Sequence, residues 1–155
     1  DNAFVLGGAM GAAVSTGIGL AVMQPDRQVL VATGDGELLM NIGALATVVA
    51  SGVERFSILC VDNERYGETG MQRTHTSYAT DLAAVAAGAG IALSGTVADE
   101  ADLARAMPHI RGSEGPVFYA IKVRVEDLPL ALPARDGGYL KDRFRLALLG
   151  DDGVI

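Results

Sequence analysis

Tryptophan is absent from this sequence, cysteine occurs once and histidine twice. A lone cysteine makes no intrachain disulfide, and Cys60 sits inside an apolar run, where it reads as core filler in a reducing, cytoplasmic setting. Basic residues are also in deficit, with 12 Lys and Arg against 19 Asp and Glu and a net charge of −7. That balance argues against nucleic acid and against an anionic membrane surface, since both select basic patches. It leaves an anionic small molecule open, because a local site can be positive on an acidic protein. No uninterrupted apolar run reaches the roughly 18 residues of a membrane-spanning helix. No basic segment followed by an apolar one opens the chain, so no signal peptide is expected.

Small apolar residues and glycine are abundant: half the residues are hydrophobic and 20 are glycine. The length of 155 residues suits one domain over 1–155, with 126–155 as a C-terminal extension. Phe4 to Leu6 reads as a strand ending at Gly7-Gly8. Met10 to Met23 reads as a buried helix and Gln28 to Thr33 as a strand of parallel type. Gly34-Asp35-Gly36 reads as a turn, followed by a helix over Leu38 to Ser51 with Gly52 just past its end. Phe56 to Val61 is a second buried strand, and Asp62 to Tyr78 a long polar loop. Asp81 to Ala87 reads as a helix capped by Thr80, Ile91 to Val97 as a weaker strand and Asp99 to Ile110 as an amphipathic helix, with Leu103, Ala106 and Met107 on one face. Val117 to Val123 is a further strand and Leu140 to Leu149 a short helix. This β-α alternation predicts an α/β fold, a mostly parallel sheet with helices on both faces. Ligands of such sheets bind beyond the carboxyl ends of the strands. The glycine turns after Leu6 and Thr33 and the loop after Val61 are expected at those ends.

In Gly34-Asp35-Gly36-Glu37 an acid follows a buried strand and precedes a helix, flanked by glycines that admit a ligand to the backbone. A carboxylate alone repels phosphate. With a hard divalent cation it binds one, and Mg²⁺ commonly takes one or two carboxylates plus phosphate oxygens. Asp35 acting simply as a helix cap is the competing reading. Asp62-Asn63 closes the next strand, one strand-helix-strand unit later, so Asn63 offers a neutral oxygen beside Asp35. The alternative for Asn63 is a plain strand-end turn.

The stretches GDGELLMNIGALATVV and ILCVDNERYG together resemble the signature of thiamine-diphosphate enzymes, across most of residues 3 to 123. The loop YGETGMQRT resembles that of phosphonopyruvate and sulfopyruvate decarboxylases, and the module is shared with acetolactate-synthase-like proteins. The resemblance implies that Asp35, Asn63 and the carbonyl of Arg65 bind Mg²⁺. It implies that Gly34 and the backbone N–H groups of Gly36 and Glu37 line the diphosphate. Gly7-Gly8-Ala9-Met10-Gly11 is similar to the family's G-x-M-G stretch, which would set Gly8, Ala9 and Met10 on the aminopyrimidine, with Met10 as the wedge that bends the cofactor. Plain core packing is the other reading of Met10. Tyr66, Gly67, Glu68 and Thr69 would lie near the cofactor. Arg73, His75 and Thr69 could meet an acidic group of the substrate, against the alternative of a mobile, solvated lid. Glu68 departs from that logic unless it pairs with Arg73. His109 reads as a surface histidine.

The resemblance further implies a lyase: decarboxylation of a small 2-oxo acid, with the cofactor's thiazolium ring as electron sink. The glutamate that activates this cofactor comes from a pyrimidine domain. No catalytic residue is therefore expected here, and a pyrimidine-domain partner in a hetero-oligomer is, together with self-association. The Ala/Gly-rich helix after Met10 is then expected at a subunit interface. The alternatives are an acetolactate-synthase-type carboligase and a non-catalytic cofactor-binding module, to which GGAMGAA, close to a dinucleotide fingerprint, lends some support. Oxo-acid:ferredoxin oxidoreductases share the module but need iron–sulfur clusters, which one cysteine cannot ligate.

Overall fold

The most β-prone runs of the sequence pair into one parallel sheet. The computed structural model describes residues 2–112, 115–126, 129 and 131–153. The parallel sheet is built from β1 (Val29–Gly34), β2 (Phe56–Asp62), β5 (Leu93–Val97) and β6 (Val117–Lys122), in the order β1-β2-β6-β5. Two short strands, β3 (Arg65–Tyr66) and β4 (Gln72–Arg73), form an antiparallel hairpin inside the long loop. The helices are α1 (Ala13–Met23), α2 (Asp35–Leu39), α3 (Ala44–Ser51), α4 (Leu82–Gly88), α5 (Glu100–Arg111) and α6 (Gly137–Leu149). Among the described residues no helix is long and apolar enough to cross a membrane.

The chain divides into two compact units, Met10–Val125 and a terminal unit of Asp1–Ala9 with Glu126–Ile155. In the larger unit, alternate residues of each strand face opposite sides of the sheet. One side carries Val29, Val31, Phe56, Ile58, Cys60, Phe118 and Ala120, packed with Val14 and Ile18 of α1, Leu38 of α2, Leu45 and Val48 of α3, and Leu82 and Ala86 of α4. Burying each of these large side chains contributes about 1.5–3 kcal/mol. On the other side Ala106 and Ile110 of α5 pack with Val97, Leu59, Tyr119 and Ile121. The sheet thus has helices on both faces, as the alternation predicts.

Four elements differ from their sequence reading. Phe4 to Leu6 is not a strand. Within the terminal unit Phe4 instead packs its ring 5.3 Å from that of Phe144 on α6, and Arg143 donates a hydrogen bond to the Ala3 carbonyl at 2.7 Å. Only Phe4 of the three finds a ring partner, and Val5 stays exposed. The expected turn at Gly34-Asp35-Gly36 and helix from Leu38 to Ser51 become two helices: α2 already begins at Asp35, after Gly34, and α3 follows a break. Between them Met40, Asn41, Ala44 and Leu45 donate their N–H groups three residues back, to Glu37, Leu38, Asn41 and Ile42, which tightens and redirects the chain. Helix α4 is capped by Asp81, not Thr80: the Asp81 carboxylate accepts from the Ala84 N–H at 3.0 Å. On α5 Ala106 and Met107 face the sheet as expected, but Ile110 joins them and Leu103 is exposed. Gly52, in contrast, ends α3 in the left-handed conformation expected of it, φ 66°.

Close packing of α1 on the sheet demands Gly17. A Cβ there would fall inside the van der Waals shell of Val31 Cγ2 and 3.1 Å from Phe56 Cε2. Both neighbours are core residues with no room to give. Gly17→Ala is expected to destabilise the fold by about 1–3 kcal/mol through overpacking, read as a lowered denaturant midpoint at unchanged slope.

Candidate functional site

The parallel register between β1 and β2 pairs Gly34 with Val61, so the next residues, Asp35 and Asp62, stand at adjacent strand ends. Both carboxyl groups are buried, Asp35 at 1% exposure and Asp62 at 2%. Between them lie the hydroxyls of Thr74, fully buried, and Thr76. Thr74 donates to Asp35 Oδ2 at 2.5 Å, and Thr76 lies 3.3 Å from the same oxygen. Thr76 also donates to Asp62 Oδ1 at 2.8 Å, and the two hydroxyl oxygens are 2.9 Å apart. The other oxygen of Asp62 pairs with Lys122 Nζ at 2.9 Å, and Lys122 also reaches Glu64 at 3.0 Å. Asp35 has no such cation among the described residues, and its Oδ1 receives no hydrogen bond from them.

The chain after β2 is shaped to present Asn63. Glu64 adopts a left-handed backbone, φ 61°, which a residue with a Cβ adopts at a cost of order 1 kcal/mol. That turn lets the Asn63 side-chain oxygen accept from the Arg65 N–H at 2.9 Å and Asp62 Oδ1 accept from the Glu64 N–H at 3.1 Å. The Glu64 carbonyl then takes the Thr74 N–H at 3.1 Å, closing the base of the hairpin. Asn63 and Arg65 are half-buried, so neither is sealed from a ligand.

Gly36 sits under the ring of Tyr66, where a Cβ would come within 2.6 Å of Cδ1. Gly34 ends β1 and is half-buried. Glu37 turns away from the edge: its carboxylate accepts from Thr33 and, at 3.0 Å, from the Ala13 N–H that opens α1. Asn41 donates to the Gly11 carbonyl at 3.0 Å and lies 3.3 Å from the Ser15 hydroxyl. These contacts tie the α2 segment to the residues that follow Met10. Met10 itself is 43% exposed, so plain core packing does not describe it. Gly8 and Ala9 belong to the terminal unit, where Gly8 has φ 71°.

The loop residues separate. Gly67, Glu68, Thr69, Arg73 and His75 are exposed. Thr69 donates to Gln72 at 2.9 Å within the hairpin tip. Glu68 does not pair with Arg73, whose guanidinium lies 5.9 Å over the Tyr78 ring instead. His109 is exposed, but it is hydrogen-bonded through Nδ1 to the Tyr119 hydroxyl at 2.7 Å. Sequence reasoning missed Thr74, Thr76 and Lys122, and gave Asp62 no role. The one available signal was a second acid beside Asn63 at a buried strand end, which requires a cation and donors from elsewhere in the chain.

The electrostatics follow from this crowding. Burial, then the nearby Asp35, Asp62 and Glu37 carboxylates, push the Cys60 thiol far above its ordinary range, with Lys122 pulling weakly the other way. Burial works to lower Lys122, but hydrogen bonds to Asp62 and Glu64 and the charge of those two carboxylates outweigh it and hold the ammonium above its usual value. Among the described residues no cluster of three or more His, Cys, Asp or Glu is arranged to hold a metal. A cation at this edge would have to draw on amide and main-chain oxygens beside Asp35, an all-oxygen set of the kind hard divalent ions prefer.

A parallel sheet with a glycine-flanked acid and an Asn-bearing loop at the carboxyl ends of adjacent strands defines an α/β domain of the cofactor-binding class. More particularly, this chain belongs to the family of the thiamine pyrophosphate enzyme, C-terminal TPP binding domain, whose model matches residues 3–121. Among its relatives, sulfopyruvate decarboxylase subunit beta of Methanocaldococcus jannaschii is 42% identical over 91 residues, 59% of this chain and 48% of that one. Phosphonopyruvate decarboxylase of Streptomyces viridochromogenes is 37% identical over 146 residues, 94% of this chain and 36% of that one. The chain thus spans about half or less of the length of these two relatives. The solved structure of the thiamine diphosphate-dependent 4-hydroxybenzoylformate decarboxylase of Rhodococcus jostii RHA1 shares the fold, with a TM-score of 0.60 at 23% identity, covering 74% of this chain and 23% of that one.

Two outcomes are expected. Cys60 should resist alkylation in the native chain at pH 8 and label fully in denaturant, as mass spectrometry would read, because the buried thiol is kept protonated. The raised Lys122 value makes its stabilisation full below the ordinary lysine pKa, about 10.4, and lost as pH rises through the higher folded one. Wild-type stability should therefore fall above about pH 10 by more than that of Lys122→Met, measured by denaturation across pH.

Proposed function

We propose that this chain is the cofactor-binding subunit or domain of a thiamine-diphosphate-dependent 2-oxo acid decarboxylase, acting on a small substrate of sulfopyruvate or phosphonopyruvate type. Asp35, Asn63 and the Arg65 carbonyl hold Mg²⁺, and Gly34, Gly36 and the Glu37 N–H line the diphosphate. The observation that carries this reading is Asp35 itself. It is a buried carboxylate with one oxygen held by the Thr74 hydroxyl, the other unclaimed and no cation beside it among the described residues. A buried charge left in that condition is strongly destabilising unless an ion completes it, and the Asn63 amide and Arg65 carbonyl are oxygen donors that suit magnesium.

When bound, the cofactor supplies an electron sink for loss of CO₂. The chain's own part is to bind, orient and exclude water. Asp35 and Asn63 fix the diphosphate end through the ion. Met10, exposed and followed by residues that Asn41 and Glu37 restrain, is the bending wedge, with Gly8 and Ala9 on the aminopyrimidine. Tyr66, Gly67, Glu68 and Thr69 lie near the cofactor, and Arg73, His75 and Thr69 meet an acidic group of the substrate, Arg73 with its charge and the others as hydrogen-bond donors. No residue here activates the cofactor. A glutamate from a pyrimidine-domain partner does, so the active enzyme is a hetero-oligomer, which the subunit naming of the sulfopyruvate relative supports. A cytoplasmic location agrees with the single reduced cysteine.

Calorimetric titration with thiamine diphosphate, with and without the pyrimidine-domain partner, tests the reading. Binding should require Mg²⁺, vanish in EDTA, and weaken at least 100-fold in Asp35→Ala, about the effect of losing a charged ligand worth some 3 kcal/mol. Equal binding in EDTA and in Asp35→Ala by the assembled protein would sink it.

A further inference from the structure

Thr74 and Thr76 come from the far end of the long loop, yet both hydroxyls reach the same oxygen of Asp35, at 2.5 and 3.3 Å. We propose that Thr74, braced by Thr76, is a positioning residue that pins Asp35 Oδ2, leaves Oδ1 as the single oxygen presented to the metal, and thereby biases the site toward magnesium-like over calcium-like ions. The inference rests on the reading of Asp35 as a metal ligand.

A carboxylate can meet a cation through one oxygen or both. Mg²⁺ demands near-ideal octahedral geometry at short distance, which a single oxygen suits, whereas Ca²⁺ accepts irregular and two-oxygen coordination. The Thr74 hydrogen on Oδ2 removes the two-oxygen mode. It also fixes the plane of the carboxyl, because Thr74 is fully buried and its position is set from several sides. Its N–H is held by the Glu64 carbonyl at 3.1 Å and its own carbonyl by the Ser77 hydroxyl at 2.7 Å. Its β-branched side chain has few rotamers to choose from.

The anchoring continues beyond the threonines. Thr76 donates to Asp62 at 2.8 Å, Asp62 is paired with Lys122 at 2.9 Å, and Lys122 is braced by Glu64 at 3.0 Å. The hydroxyls are therefore tied to the ends of β2 and β6 as well as to β1. A network with every member held in place can specify one orientation of a ligand, and outer partners of this kind affect metal affinity by about 10- to 100-fold.

The experiment uses the chain assembled with its pyrimidine-domain partner and saturated with thiamine diphosphate. Mn²⁺ affinity is read from the free-ion electron paramagnetic resonance signal, and Ca²⁺ affinity by competition. Thr74→Ser keeps the hydroxyl and should stay within about threefold of wild type. Thr74→Val keeps the shape, loses the donor and should bind Mn²⁺ about 10- to 100-fold more weakly, with a smaller loss for Ca²⁺, so the preference between the two ions narrows. Thr76→Val should lose several-fold in the same direction. If Thr74→Val fails to fold, Thr74→Ala, which only opens space, carries the same expectation. Wild-type Mn²⁺ affinity in the folded hydroxyl-free variant, or equal losses for both ions, overturns the proposal. Cofactor binding by the wild-type assembly that ignores metal altogether would instead defeat the metal-site reading, and does so before any threonine is changed.

Discussion

Gly34 stands opposite Val61 in the parallel ladder between β1 and β2, and everything at the candidate site descends from that register. It sends Asp35 and Asp62 out of the sheet side by side, each into buried surroundings. A shift by one residue would turn one of them to the other face, since side chains alternate along a strand. The register is held by the core beneath it, where Val31, Ile58, Phe56 and Phe118 lock the two strands against α1 and α3.

Two buried acids at neighbouring positions pose an electrostatic problem that the fold solves differently for each. Asp62 receives Lys122 from the end of β6, the strand that lies beside β2. Among the described residues Asp35 receives only the neutral Thr74 hydroxyl, with Thr76 behind it, and keeps one oxygen open. That asymmetry distinguishes a structural acid from a candidate ligand better than burial does, because both acids are almost equally buried. The positive φ at Glu64 goes with that arrangement: its carbonyl holds the Thr74 N–H where the loop returns, and so keeps Thr74 at Asp35.

Long apolar runs bounded by glycine or polar residues were legible in the sequence, because a buried parallel strand leaves little choice of composition. Val29–Gly34, Phe56–Asp62 and Val117–Lys122 all lie within a residue or so of their expected bounds. Short or small-residue stretches were not. Phe4 to Leu6 looks like a strand only if a partner exists, and three residues cannot announce what they will pack against. At the break between α2 and α3, Asn41 bonds Gly11, thirty residues away in the chain, a contact that no local pattern records. Thr80 and Asp81 are both good caps, and the backbone angles chose between them.

The sequence alone determined the class of the fold, the family resemblance and the identity of Asp35 and Asn63 as residues worth watching, because glycine spacing, apolar runs and a strand-end acid are local properties. Tertiary structure alone decided which acid acquired a cation, which hydroxyls met Asp35, and which way Glu37 and Arg73 turned. Those outcomes depend on the distances between β1, β2, β6 and the returning loop, and a distance between segments far apart in the chain exists only once the sheet has closed.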